Sequence, residues 1–289
     1  MQISETTITN VLTRCSGFLT TVSSHSLQPY RGCALGNSLC GVGCYVRHNA
    51  YVTLGREWGS YVEVRTNADE SYRANYAAEQ RWARRAGGRF GIFLSSSTEP
   101  FQPVERKAGV TRKVLEAMVD MPPDFLILQS HSHHVADYVE LYRRLAGVFE
   151  LRIHVSIESD RDTLPGLPPS GSSVEKRIAA AGILRAAGLR TVITVSPLLP
   201  IAEPGRFFGR LAQVADAVVI DHYIGGDGSP AGSRTLRTRL PLAMQAVDPH
   251  SVTLEYREQI VAIAQEHFPG RVGVNIDGFA GRMLESAEC

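Results

Sequence analysis

An α/β fold built on a parallel sheet is predicted by three observations. Apolar, β-rich runs recur along the chain from about residue 61, and helix-like segments with apolar residues three and four apart separate them. Most of the runs are continuous rather than alternating, as expected of strands covered on both faces. Alternation repeated this often fits an open doubly wound sheet or a complete or partial barrel. Both place the chemistry on the loops after the C-terminal strand ends.

In chain order, the first forty or so residues precede the pattern and read as an N-terminal extension leading into a cysteine-rich loop. Strands are expected at Tyr61–Arg65, Phe90–Leu94, Phe125–Leu128, Leu151–Ile157, Thr191–Val195, Ala217–Ile220 and Val272–Ile276. Helices are expected at Val110–Val119, Val135–Leu145 and Val174–Ala187. Gly188 stands where the last of these needs a left-handed residue to stop. Polar residues follow the strands: Thr66-Asn67, Ser95 to Glu99, Gln129-Ser130-His131, Ser156-Ile157-Glu158, Ser196-Pro197 and Asp221-His222-Tyr223. They are expected to meet on one rim. Leu164–Ser173 and Ile224–Gly232, rich in Gly, Pro and Ser, read as loops within the domain.

The 289 residues are 44% hydrophobic with a net charge of +1, which excludes a disordered or coiled-coil chain. Thirty basic residues nearly cancel against 29 acidic ones, so a strong nonspecific grip on nucleic acid is not expected. Arg81, Arg84, Arg85 and Arg89 share a helix face, read as a solvated surface. No apolar stretch reaches membrane-spanning length and MQISETTITN is not a secretory signal, so a cytoplasmic location without a membrane partner is expected.

Five cysteines, at 15, 33, 40, 44 and 289, are an odd number, and three of them crowd into twelve residues. That is no disulfide framework. Clustered thiols in a reducing compartment suit metal ligands or redox groups. Cys33, Cys40 and Cys44 on a glycine-rich loop are one ligand short of a closed structural zinc site, whereas a three-cysteine iron–sulfur cluster keeps one iron open.

The loop reads Pro29-Tyr30-Arg31-Gly32-Cys33, six residues, then Cys40-Gly41-Val42-Gly43-Cys44-Tyr45-Val46-Arg47. Farther on come Val64-Arg65-Thr66-Asn67-Ala68, then Ser97-Thr98-Glu99-Pro100-Phe101-Gln102-Pro103-Val104-Glu105-Arg106 with Thr111-Arg112. His154-Val155-Ser156-Ile157, Lys176-Arg177, Ala187-Gly188 and Pro197-Leu198-Leu199-Pro200 follow in order. Together, over roughly residues 27–205, these resemble radical S-adenosylmethionine enzymes of the spore photoproduct lyase-like branch. The resemblance implies a partial (β/α)6-type TIM barrel over residues 27–289, with residues 1–26 as the extension. It implies a [4Fe–4S] cluster on Cys33, Cys40 and Cys44, whose open iron binds S-adenosylmethionine. Reductive cleavage would give a 5′-deoxyadenosyl radical that abstracts hydrogen from a substrate, with a flavodoxin- or ferredoxin-type electron donor.

The resemblance also implies site residues. Tyr45 and Ser96 fall at catalytic positions, and Tyr45, Arg65, Ser97, Thr98, Glu99, Ser130 and Ser156 fall at cosubstrate-binding positions. The cysteine spacing departs from the branch, being six and three residues where the branch has three and two. Cys15 or Cys289 is an alternative ligand. Ser96 replaces the cysteine that donates hydrogen in spore photoproduct lyase, Ser130 replaces a lysine, and Gly43 stands at a tyrosine position. Small-molecule and nucleic-acid substrates both remain open. The alternatives are a DNA-lesion lyase and a non-catalytic zinc- or cluster-binding protein. His131, His133 and His134 are candidates for a second metal or acid–base work, set against a polar loop. Asp221-His222-Tyr223 falls where a substrate would lie, and Gly225-Gly226 is too loose for a phosphate loop.

Overall fold

Alternation along each strand decides where this molecule is dry and where it is polar. The structure, a computed structural model, describes residues 1–285. Eleven strands are found among them: β1 Gln2–Thr6, β2 Leu12–Arg14, β3 His25–Leu27, β4 Tyr30–Gly32, β5 Tyr61–Arg65, β6 Gly91–Leu94, β7 Phe125–Ser130, β8 Glu150–Ser156, β9 Thr191–Val195, β10 Ala217–Ile220 and β11 Val272–Val274. The main sheet runs β11-β10-β9-β8-β7-β6-β3-β2, and a small sheet runs β1-β5-β4. From β3 to β11 every neighbouring pair is parallel, and β2 joins β3 antiparallel.

Six crossover helices cover the outer face: α1 Ala68–Arg85, α2 Val110–Asp120, α3 Val139–Ala146, α4 Val174–Ala186, α5 Pro204–Ala212 and α6 Leu254–His267. Their ends follow from local chemistry. Ser173 caps α4 by accepting from the Lys176 amide, Thr253 caps α6 by accepting from that of Tyr256, and α5 starts on a proline. Leu126, Leu128, Ile153, Val155, Ile193, Val195, Val218 and Ile220 point into the helices and make one continuous core.

The residues between them point the other way. Deeper in the barrel Phe93, Phe125, Ile127, Val192 and Val219 meet Phe279 in a second apolar cluster, joined by Phe18 and Leu19. At the strand ends the same inner face becomes polar, with Gln28, Ser95, Gln129, Glu158, Ser196 and Asp221 all lining one cavity. Residues from strands this far apart in sheet order face one space because the sheet curls around it. The result is a partial barrel with a dry floor and a polar rim. Gly91 is part of that floor, because the Phe125 ring lies where its Cβ would be, within 1.9 Å.

Three expectations are corrected. Tyr61–Arg65 is a strand, but of the small sheet; the first parallel strand of the main sheet is β3, whose His-Ser-Leu sequence carries no β signal. The segment expected as strand Val272–Ile276 stops at Val274, because Asn275 turns with φ of 50° into a short helix, Asn275–Phe279. The helix expected over Val135–Leu145 begins as a tighter turn, His133–Tyr138, before α3. Residues 1–26 supply β1, β2 and most of β3, so they are hydrogen-bonded into both sheets.

Candidate active site

The cavity at the rim has a volume of about 720 Å³, within the range of small-ligand sites. Cys33, Cys40 and Cys44 all lie on its wall, on the stretch between β4 and β5. Glycine makes their loop compact. A Cβ on Gly41 would fall 2.2 Å from the Gly36 Cα, so these backbones approach as only glycine permits. Cys40 lies within a short helical turn, Leu39–Gly43, and Cys44 follows directly.

The thiols sense one another. Burial, and behind it the neighbouring Cys40 sulfur, pushes Cys33 far up and Cys44 up to about 12. Three soft thiol donors on one wall fit an iron–sulfur cluster in donor chemistry. Among the described residues no set of three His, Cys, Asp or Glu side chains is already drawn together as a metal site. Cys15 is half-buried beside Ser23 and does not line the cavity, and Cys289 lies outside the described residues.

The other sequence-derived positions separate into two groups. Tyr45, Arg65, Ser96, Ser97, Thr98 and Glu99 line the cavity. The Tyr45 hydroxyl donates to the Ser96 carbonyl at 3.0 Å, tying the cysteine loop to the end of β6. Ser96 Oγ accepts from Gln28 Nε2 at 2.9 Å, and Thr98 Oγ1 donates to Gln28 Oε1 at 3.0 Å. Arg65 donates to the Gln28 carbonyl at 2.7 Å, and burial lowers it to about 10. Glu99 organises its own loop, accepting from the amides of Phe101 and His131 and from Ser130 Oγ.

Ser130 and Ser156 stand behind the wall, fully buried. Ser130 is spent on Glu99, and Ser156 Oγ pairs with Thr194 Oγ1 at 2.9 Å while accepting from Gln129 at 3.1 Å. Direct contact with a ligand in the cavity is therefore not their placement. His133 and His134 turn away, to Ser172 and Asp137.

Sequence reasoning does not anticipate Gln28, because β3 is not visible there as a strand. Nor does it anticipate that His131, Glu158 and Arg177 form one chain. His131 Nδ1 meets Glu158 Oε1 at 2.7 Å, and Arg177 donates to Glu158 Oε2 at 2.6 Å. Burial alone would push the His131 imidazole down, yet the adjoining Cys40 sulfur and Glu158 carboxylate hold it well above its ordinary value.

Asp221 is a further buried acid on the wall. Its Oδ2 accepts from Ser196 Oγ at 3.1 Å and its Oδ1 has no partner. Burial raises it to about 7. Between the ordinary carboxylate range and pH 7 the folded protein keeps a proton that the unfolded chain releases, so stability falls as pH rises through that window. D221N removes this titration. Its gain in unfolding free energy over wild type is expected to grow between about pH 4 and 7, by up to about 1.4 kcal/mol per unit, and then level off. Urea melts at pH 5, 6, 7 and 8 measure it, and a constant difference refutes it.

Set against solved structures, the chain aligns with a spore photoproduct lyase variant holding AdoMet and dinucleoside spore photoproduct. The TM-score is 0.61 at 17% identity, covering 94% of this chain and 80% of that one. A second variant of that lyase, with dinucleoside spore photoproduct, gives 0.63 at 16% identity over 94% and 80%. The chain has the spore photoproduct lyase fold. The partial barrel expected from the sequence is therefore the architecture found. Among curated proteins, an uncharacterised protein of Methanocaldococcus jannaschii is 22% identical over 179 residues, 62% of this chain and 61% of its own length. No family model matches. Within the spore photoproduct lyase fold, the cysteine loop caps the strand ends and the floor is closed by Phe18, Leu19 and Phe279.

Proposed function

We propose that the chain is a radical S-adenosylmethionine enzyme. One observation carries the reading: three cysteines share a cavity wall at the strand ends of a fold that, in spore photoproduct lyase, has been solved with AdoMet bound. Cys33, Cys40 and Cys44 would hold a [4Fe–4S] cluster. When bound, that cluster supplies one electron to S-adenosylmethionine, giving the 5′-deoxyadenosyl radical that abstracts hydrogen from the substrate.

The chain's own residues bind and shield. Arg65 and Ser97 offer donors to the cosubstrate along one side of the cavity, Thr98 Oγ1 offers an acceptor, and Glu99 and Tyr45 hold the loop after β6 that carries the two hydroxyls. Ser130 and Ser156 act one layer back, fixing Glu99 and Gln129. The apolar floor excludes water from beneath a reactive intermediate. No described helix is long and apolar enough to cross a membrane, and the partner required is a low-potential electron carrier of the flavodoxin or ferredoxin type.

A DNA-lesion lyase is the less favoured alternative. Ser96 occupies the position of the thiol that returns hydrogen, and a hydroxyl is a far poorer hydrogen-atom donor. Its oxygen is moreover bonded to Gln28. The chemistry is of lyase or transferase type.

Anaerobic reconstitution with iron and sulfide tests the reading. The reduced protein is expected to give a cluster signal in electron paramagnetic resonance that shifts on adding S-adenosylmethionine, with 5′-deoxyadenosine released. Stoichiometric zinc with no iron-dependent absorbance would identify a binding protein instead.

A further inference from the structure

Four arginines line the cavity, and two of them are already neutralised, Arg31 by Glu63 and Arg177 by Glu158. Arg65 and Arg234 have no carboxylate partner among the described residues. Each donates instead to a backbone carbonyl, that of Gln28 and that of Asp227. They belong to opposite ends of the rim. Arg65 is tied to Gln28, which follows β3 at one end of the sheet, whereas Arg234 lies on the loop that leaves β10 near the other end.

That loop is built to hold Arg234. Asp227, 2% exposed, accepts through Oδ1 from the Ser229 amide and hydroxyl, and through Oδ2 from the Thr235 amide at 2.8 Å. Ser229 Oγ in turn accepts from the Arg234 amide at 3.1 Å, and Arg234 Nη1 donates to the Asp227 carbonyl at 3.1 Å. One buried carboxylate thus fixes both the backbone and the guanidinium. Gly228, with φ of 69°, lets the guanidinium lie close, since a Cβ there would be 3.1 Å from Nη1. On the other side of the same stretch sits Asp221: a Cβ on Gly226 would be 2.3 Å from its Oδ2, and its Oδ1 has no partner. Burial keeps much of this carboxyl protonated near neutral pH, so it does not repel an anion. The Asp227 charge is already met by its three donors. A half-buried guanidinium held still and given no counter-charge is a site for a planar or tetrahedral oxyanion, which its fork of N–H groups fits.

We propose that Arg234 binds an oxyanion of the substrate, a carboxylate or a phosphate, at the end of the cavity away from Arg65. The inference rests on the function proposed above, in which Arg65 serves the cosubstrate, and it assigns the substrate to an anionic class.

The test is phenylglyoxal modification of the anaerobically reconstituted protein, read at each arginine by peptide mass spectrometry, with inorganic phosphate, acetate or glycerol added. Phosphate or acetate is expected to slow labelling of Arg234 saturably, by about tenfold, the effect of one charge-assisted hydrogen bond. Glycerol has no effect, and the exposed Arg81 keeps its rate. The anion that protects at the lower concentration identifies the group as phosphate or carboxylate. S-adenosylmethionine protects Arg65 and leaves Arg234 reactive. Calorimetric titration with the better anion is the second measurement: binding weakens about tenfold in R234Q and is partly restored in R234K, whose charge remains. Unchanged labelling of Arg234 together with equal anion affinity in R234Q overturns the inference. Slowing of Arg234 and Arg81 alike also overturns it, because the anion would then act through the solvent. Protection of Arg234 by S-adenosylmethionine does the same, since the residue would hold the cosubstrate. A protein that takes up no iron and sulfide overturns the proposed function, and anion protection measured on that sample still decides the Arg234 site by itself.

Discussion

Alanine at any one of Cys33, Cys40 and Cys44 abolishes 5′-deoxyadenosine formation, down to the level without protein, while C15A leaves it intact. The asymmetry follows from placement. The first three thiols share the cavity wall, whereas Cys15 sits off it against Ser23. A three-cysteine site has no spare ligand, so losing one thiol leaves two donors for the cluster. The replacements are small and spare the fold, since the strands, crossover helices and apolar floor lie outside the loop. Iron and sulfide content, the reduced-cluster signal and chromatographic quantitation of 5′-deoxyadenosine are the readouts, with a thermal melt showing that each variant is folded. Cleavage at the wild-type rate by C33A, C40A and C44A alike would refute the assignment.

What was legible in the sequence is what local pattern can encode. Runs such as Phe125–Leu128 and Thr191–Val195 announce buried strands, and chain order alone puts the residues after them on one rim. The thiol cluster was equally plain, because three cysteines within twelve residues stay neighbours in any fold. The misses come from non-local terms. His25–Leu27 is three residues long with two polar ones, and only its place between β2 and β6 makes it a strand. Gln28 was missed with it. Ser130 and Ser156 have the residue type and strand-end position of ligands, yet pleat direction for Ser130 and the Thr194 and Gln129 side chains around Ser156 turn them into support. His131 looked like one of three rim histidines. Its difference from His133 and His134 lies in Glu158, 27 positions away.

R177M carries the largest expected stability cost. Arg177 projects from the first turn of α4 and is 2% exposed; Glu158 is 7% exposed. Methionine keeps much of the volume but leaves the Glu158 carboxylate with His131 as its one charged neighbour. Removing one partner of a buried ion pair typically costs about 3–5 kcal/mol, because the remaining charge is out of water without compensation. For a chain of this size that lowers Tm by roughly 5–8 °C. Burial by itself would raise Glu158, but Arg177 and His131 hold it below the ordinary carboxylate range. A depressed folded value contributes stability that is present above the ordinary range and lost as pH falls through it. The gap between wild type and R177M is therefore widest near pH 7 and narrows toward acid. Adding E158Q to R177M removes the stranded charge and recovers part of the loss, a coupling that a double-mutant cycle reads directly. Urea melts of wild type, both single variants and the double at pH 7 and pH 4 measure it. A cost for R177M below about 1 kcal/mol, the level of an exposed pair, would mean that solvent reaches this carboxylate. The rigid support behind His131 would then be gone as well.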